Sequence, residues 1–165
     1  MILREATVRD VPVIRAIALT TWPVAYATIL SPQQLRYMLE LMYSEDALRE
    51  QLLGKGHRST LILLDDVAQG FASFEHGYNG YPVTRLHKLY VLPSAQGIGA
   101  GKHLISHVVE CAKDRGDTAV ELNVNRFNPA RMFYERRGFR IIRDEVIDIG
   151  SGFVMDDHVM RLELR

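Results

Sequence analysis

A strand, a glycine-rich turn and a helix follow one another without a break between residues 85 and 113. Arg85–Leu92 reads as a strand stopped by Pro93. Gly99–Lys113 reads as a helix with Leu104, Ile105, Val108, Val109 and Ala112 on one face. The joint holds Gln96, Gly97, Ile98, Gly99, Ala100, Gly101 and Lys102. Glycines let a backbone come close to a bulky anion, and a helix start offers unpaired amides with a partial positive charge. On physical grounds this is a phosphate cradle. Spacing tests which kind. The dinucleotide pattern G-x-G-x-x-G needs glycine where Lys102 stands. The P-loop pattern needs glycine at Gln96 and a hydroxyl residue at His103. Both fail, which disfavours a nucleotide-binding protein. What fits is Q-x-x-G-x-G, Gln96 to Gly101.

The rest of the chain sets the frame. Its 165 residues are about one domain's worth, so residues 1–165 are expected to form a single domain. Lys plus Arg and Asp plus Glu number 20 each. That balance argues against a nucleic-acid binder, whose affinity comes from basic residues meeting phosphates. Cys111 is the single cysteine, so neither an intrachain disulfide nor a CxxC metal knuckle can form. The apolar run Leu61–Leu64 is far below the ~18 residues of a membrane span. The N-terminus has no basic-then-apolar leader pattern. A cytoplasmic protein is the expectation.

Other elements follow from local signals. Ile2–Ala6 is a short strand, and Thr7-Val8-Arg9-Asp10 fits a capping box before a helix. Ser31-Pro32 and Ser44-Glu45-Asp46 start two more helices, the last ending near Gly54. Ser59–Leu64 and Gln69–Phe74 are strands joined by a turn at Asp65-Asp66. Val120, Leu122 and Val124 alternate along a half-buried strand, 118–124. Asn128-Pro129 opens a helix that Gly138 ends, and 139–147 pairs with 155–164. Meander strands followed by strand–helix–strand units predict an α/β (α+β) fold: a mixed sheet flanked by helices.

A second motif lies one helix and one strand beyond the glycine turn. Residues 128–139 read N-x-x-A-x-x-x-Y-x-x-x-G-F, with Asn128, Tyr134, Gly138 and Phe139 in the marked places. Together the two motifs resemble the GNAT acyltransferases, strongly over residues 84–140 and in element order over the whole chain. The resemblance implies a mostly antiparallel sheet with one splayed parallel strand pair. It implies an N-acetyltransferase that moves acetyl from acetyl-CoA directly to a primary amine. The segment Trp22–Tyr43 and the strand 86–91 look most like the bacterial polyamine branch. That makes a small-molecule amine such as a polyamine the expected acceptor, with no nucleic acid or membrane partner. Acetylation of a protein N-terminus or an amino-acid-like metabolite is the alternative within the fold. An acyl-CoA-binding sensor without useful turnover, keeping Gln96 to Gly101, is the alternative of another functional class. A homodimer is a further implication.

The resemblance also assigns residues. The amides of Gly97–Gly101 would hold the pyrophosphate, with Lys102 adding charge and Asn128 contacting CoA. Leu89 and Val91 would meet the acetyl-pantetheine end, with an amide near Leu89 or Tyr90 polarising the thioester carbonyl. Tyr134 would protonate the departing thiolate. Where relatives place a carboxylate base, nine residues before the first motif, this chain has His87; two residues earlier stands Arg85, which cannot serve. His87 is the expected base, with Glu75, Glu121 and a water chain as rivals. No metal site is expected. His103 and His107 have the spacing of a metal pair but lack the glutamate of H-E-x-x-H, so a solvated helix face is the simpler reading. Trp22, Tyr26 and Tyr37 are pocket walls or core aromatics. Asp156 and Asp157, in the last hairpin region, could attract a cationic amine, though a solvated turn is the more common meaning of such a pair.

Overall fold

A computed structural model describes residues 1–165. Strand β1 (Ile2–Glu5) leads through a short 3-10 turn to helix α1 (Val11–Ala25). Helices α2 (Pro32–Tyr43) and α3 (Glu45–Leu53) follow. Strands β2 (Arg58–Leu64), β3 (Val67–Glu75) and β4 (Val83–Val91) form the meander. Helix α4 (Ala100–Arg115), β5 (Ala119–Asn125), α5 (Ala130–Glu135), β6 (Arg140–Gly150) and β7 (Phe153–Glu163) complete the chain. The seven strands form one sheet in the order β1-β2-β3-β4-β5-β7-β6. Every neighbouring pair is antiparallel except β4 and β5.

Local chemistry accounts for most boundaries. Thr7 and Asp10 close the expected capping box, though the first turn is 3-10 before α1 begins. The Ser31 and Ser44 hydroxyls accept the amides of Gln34 and Ala47 at the starts of α2 and α3. Asp65 and Asp66, at φ 49° and 64°, make the two-residue turn that suits the twist of a hairpin. The last hairpin is longer than expected: β6 runs to Gly150 and β7 starts at Phe153.

The sheet buries both faces. Leu104, Val108 and Ala112 of α4 pack with Tyr134, Phe74, Val120 and Leu122 on one side. Ile14, Trp22, Met38 and Leu48 of α1–α3 pack with Leu61 and Phe71 on the other. Full burial of a side chain such as Leu104 or Phe71 stabilises by roughly 1.5–3 kcal/mol. These cores hold the middle strands rigid where the parallel pair opens.

Candidate active site

The parallel pairing of β4 with β5 covers only Val83–Leu86 against Ala119–Leu122. Beyond Leu86 the two strands have no shared ladder, so a gap opens between them. On the far side of β4 the ladder with β3 continues to Val91. The Leu92 amide bonds the Gln69 carbonyl at 2.8 Å. Antiparallel ladders alternate, so Leu89 and Val91 turn their amides and carbonyls away from β3 and into the gap. Their side chains pack on the α4 side of the sheet. Tyr90 differs from its two neighbours. Its backbone faces β3, and its ring joins the α1–α3 side.

A bulge explains what β4 presents. Ser73 pairs with Lys88 and Phe74 with Leu86, leaving His87 as the extra residue. Strict alternation would put 85, 87 and 89 on one face. The bulge instead sends Arg85, His87, Lys88 and Tyr90 into one cavity of about 260 Å³. Trp22, Tyr26 and Met38 wall it from the helices, and Asn123, Asn125 and Asp157 from β5 and β7. Tyr37 lies elsewhere, bonding the Ile149 carbonyl and packing on Phe153.

The glycine turn sits beyond the end of β4. Gly97 and Gly99 hold φ at +86° and +88°, where side chains are strained. A Cβ on Gly97 would meet no atom within 4 Å. The turn is therefore open on its outer side, with room for an anion. No backbone hydrogen bond outside the helix uses the amides of residues 97–102, and a helix's first amides have no partner within it. Lys102 is exposed at the same end. Free amides, open space and a lysine fit a pyrophosphate.

Across the gap stands α5. The Asn128 side chain accepts the Ala130 amide at 2.9 Å and reaches the Tyr26 hydroxyl at 3.5 Å. Tyr26 in turn meets the Tyr90 hydroxyl at 3.1 Å. This chain of contacts ties α5 to β4. Tyr134 is buried, and burial pushes its phenol well up from the ordinary value. It stays protonated at neutral pH, as a proton donor must.

His87 donates from Nε2 to a Glu75 oxygen 3.0 Å away. His57 stacks on it, ring centres 4.0 Å apart and 10° from parallel, and reaches the same oxygen at 3.5 Å. The donor atoms of His57, Glu75 and His87 all lie within 4.8 Å of one another. Stacked rings keep their lone pairs in separate planes, however, so one metal ion cannot lie in both. Burial, Arg85, Lys88 and Lys55 push His87 down to about 3. Burial, His87 and Lys88 push His57 down to about 4. Both are neutral imidazoles at pH 7. Burial and Lys55 bring Lys88 to about 7.

The sign of the pH effect follows. Below pH 6.5 the unfolded chain binds protons that the folded histidines refuse, so stability falls as pH drops from 6.5 towards 3. At pH 5, His87 alone should cost about 1–2 kcal/mol. Denaturant unfolding at pH 7.5 and 5.0 checks this: His87→Gln should lose less stability on acidification than the parent. An equal loss in both proteins would contradict it.

Two expectations need correction. Asp156 and Asp157 lie within β7, not in a turn. Asp157 is 2% exposed, accepts from Asn123 at 3.2 Å, and has its pKa raised by burial. Its strand is covered by β5 on one edge and β6 on the other, which a pair of acidic letters does not reveal. His107 is not on a solvated face either. It is half-buried, edge-on to Phe74 and 3.5 Å from the Cys111 sulfur. His103 is exposed as expected. Of the rival carboxylates, Glu121 is taken up by Arg161 at 3.0 Å, whereas Glu75 backs His87.

The chain belongs to the GNAT acetyltransferases. Residues 26–163 match the acetyltransferase (GNAT) domain. It is 29% identical over 156 residues to an uncharacterized N-acetyltransferase of Mycobacterium bovis, covering 94% of this chain and 98% of that one. It is 29% identical over 103 residues to the L-amino acid N-acyltransferase of Escherichia coli, covering 59% of each. Its fold matches the PaiA N-acetyltransferase of Thermoplasma acidophilum, solved with coenzyme A: TM-score 0.81, 20% identity, 99% and 98% of the two chains. The protein is an acyltransferase enzyme with acetyl-CoA as its co-substrate. No helix is long and apolar enough to cross a membrane.

Proposed function

We propose that this enzyme acetylates the primary amine of a small molecule by direct transfer. One observation supports the reading above others: the Leu89 and Val91 backbone opens into the β4–β5 gap, and their side chains pack on the core that contains Tyr134. The amides of residues 97–101 hold the pyrophosphate, with Lys102 and Asn128 beside it. The Leu89 amide polarises the thioester carbonyl, which sharpens as negative charge grows on that oxygen. The amine nitrogen attacks the carbonyl carbon and the carbon–sulfur bond breaks. Tyr134 gives its proton to the leaving sulfur. The amine's proton passes to His87, whose other nitrogen donates to Glu75. An imidazole with so low a pKa relays a proton rather than storing it. The acceptor enters from the cavity of α1–α3 and β4, and the enzyme works in the cytoplasm.

The polyamine branch that the sequence resembles would supply a polycation to this cavity. Arg85 and Lys88 inside it favour the amino-acid-like acceptor instead. The relative from Escherichia coli, an L-amino acid N-acyltransferase, is consistent with that choice.

Direct transfer has a simple test. Mixed with acetyl-CoA and no amine, the protein should keep its mass by intact mass spectrometry. A gain of one acetyl group, lost again on adding amine, would contradict it.

A further inference from the structure

The acceptor cavity is short of anions and of hydrogen-bond partners. Five buried side-chain polar atoms in the whole protein have no partner: Trp22 Nε1, His57 Nδ1, Arg85 Nε, Asn123 Oδ1 and Arg137 Nε. Buried polar groups without partners are costly and uncommon, and four of these five, all except that of Arg137, sit on residues that line this cavity.

Their chemistry specifies the ligand. Arg85 is half-buried, and Tyr78 stacks on its guanidinium at 5.4 Å. The carboxylates that favour its charge are Glu121, Glu145 and Asp157. Each is held by another group: Glu121 by Arg161, Glu145 by Arg143, Asp157 by Asn123. Arg85 itself is left without an ion pair. Lys88 is 7% exposed and has only neutral partners, the Met42 carbonyl at 3.2 Å, the Gln51 side-chain oxygen and the Tyr43 ring at 4.4 Å. A buried lysine with only neutral partners and a half-buried arginine without an ion pair both gain from a ligand that brings negative charge. A guanidinium is the group best shaped to take a carboxylate with two parallel bonds. The same cavity is lined by acceptors, the unpartnered Asn123 oxygen and the buried Asp157 carboxylate. These suit the hydrogens of an amine.

We infer that the acceptor is an amine that also bears a carboxylate, an amino acid held by Arg85 and Lys88 at its acid end and by Asn123 and Asp157 at its amine end. Its side chain then meets the apolar wall of Leu30, Met38 and Met42. This deepens the acetyl-transfer reading and rests on it. A cavity of about 260 Å³ holds a single amino acid with an apolar side chain. Spermidine would bring cations against Arg85 and Lys88.

The test compares acids with matched neutral and cationic amines. CoA thiol release from acetyl-CoA is followed with methionine, leucine and phenylalanine, with their amides, and with spermidine. The free acids should exceed their amides by at least about tenfold in kcat/KM, which is what one lost charged contact is worth at roughly 1.4 kcal/mol or more. In Arg85→Met the acid-to-amide ratio should fall towards one, and in Arg85→Lys it should be partly kept. Amides or spermidine turning over as well as the acids would overturn the inference while acetyl transfer stood. Silence with every amine, with CoA still bound by calorimetry, would overturn acetyl transfer and this inference with it.

Discussion

Tyr134→Phe should lower kcat by roughly 10²–10³-fold, within the range for one positioned proton donor. The thiolate of CoA must take up a proton as the carbon–sulfur bond breaks. Tyr134 is buried in the core against which Leu89 and Val91 pack, and its phenol is held protonated by burial. Removing one hydroxyl from a well-packed ring leaves the contacts with Phe133 and Phe139 in place. Affinity for CoA, measured by calorimetry on the same variant, should therefore change by no more than about twofold, well under 1.4 kcal/mol. A Phe variant with parental kcat would place the acid elsewhere. A parent with no turnover to lose, but tight CoA binding, would make the chain a sensor.

The second large effect concerns the glycine turn. Gly97→Val should raise KM for acetyl-CoA by about 10–100-fold, as expected when 1.4–2.8 kcal/mol of anion binding is lost. A Cβ there meets no protein atom within 4 Å, so the new side chain enters the space that an anion would need. Left-handed backbone also strains valine, by roughly 1–3 kcal/mol, and that cost must be separated from the loss of binding. Gly116 supplies the control. Its φ is +87°, it ends α4 at the other end, and a Cβ there also meets nothing within 4 Å. Gly116→Val should lose similar stability and leave KM alone. If the two variants raise KM alike, the turn does not hold the phosphates.

Much of this was readable from the letters because it is set by local chemistry. The Thr7–Asp10 box, the serine caps of α2 and α3 and the Asp65-Asp66 turn each satisfy nearby backbone groups. Val120, Leu122 and Val124 declare their buried face by strict alternation. The glycine turn and the Asn128–Phe139 motif placed the two sides of the gap. The acceptor side was far less legible. A bulge such as that at His87 is one unpaired residue in a ladder, and nothing in a period-two pattern marks where it falls. Without it, Lys88 and Tyr90 would be assigned to the opposite face from Arg85 and His87. Arg85 was legible only as a residue that cannot be a base. Its value lies in a burial without an ion pair, which depends on Arg161 and Arg143 engaging Glu121 and Glu145 first. Asp157 was legible only as one of a pair that could attract a cationic amine, with its burial concealed for a related reason. An acidic pair is usually solvated, and only the closure of β5 and β6 around β7 takes it out of water.

If the gap between β4 and β5 is where an amine meets an acetyl thioester, thiol release from acetyl-CoA must depend on the amine. The most direct measurement is CoA thiol release by the parent protein from acetyl-CoA, with and without a primary amine, with the amine product weighed by mass spectrometry. Release should depend on the amine, with an equal yield of product heavier by one acetyl group. Release that ignores the amine, or none with any amine while CoA binds, would contradict it.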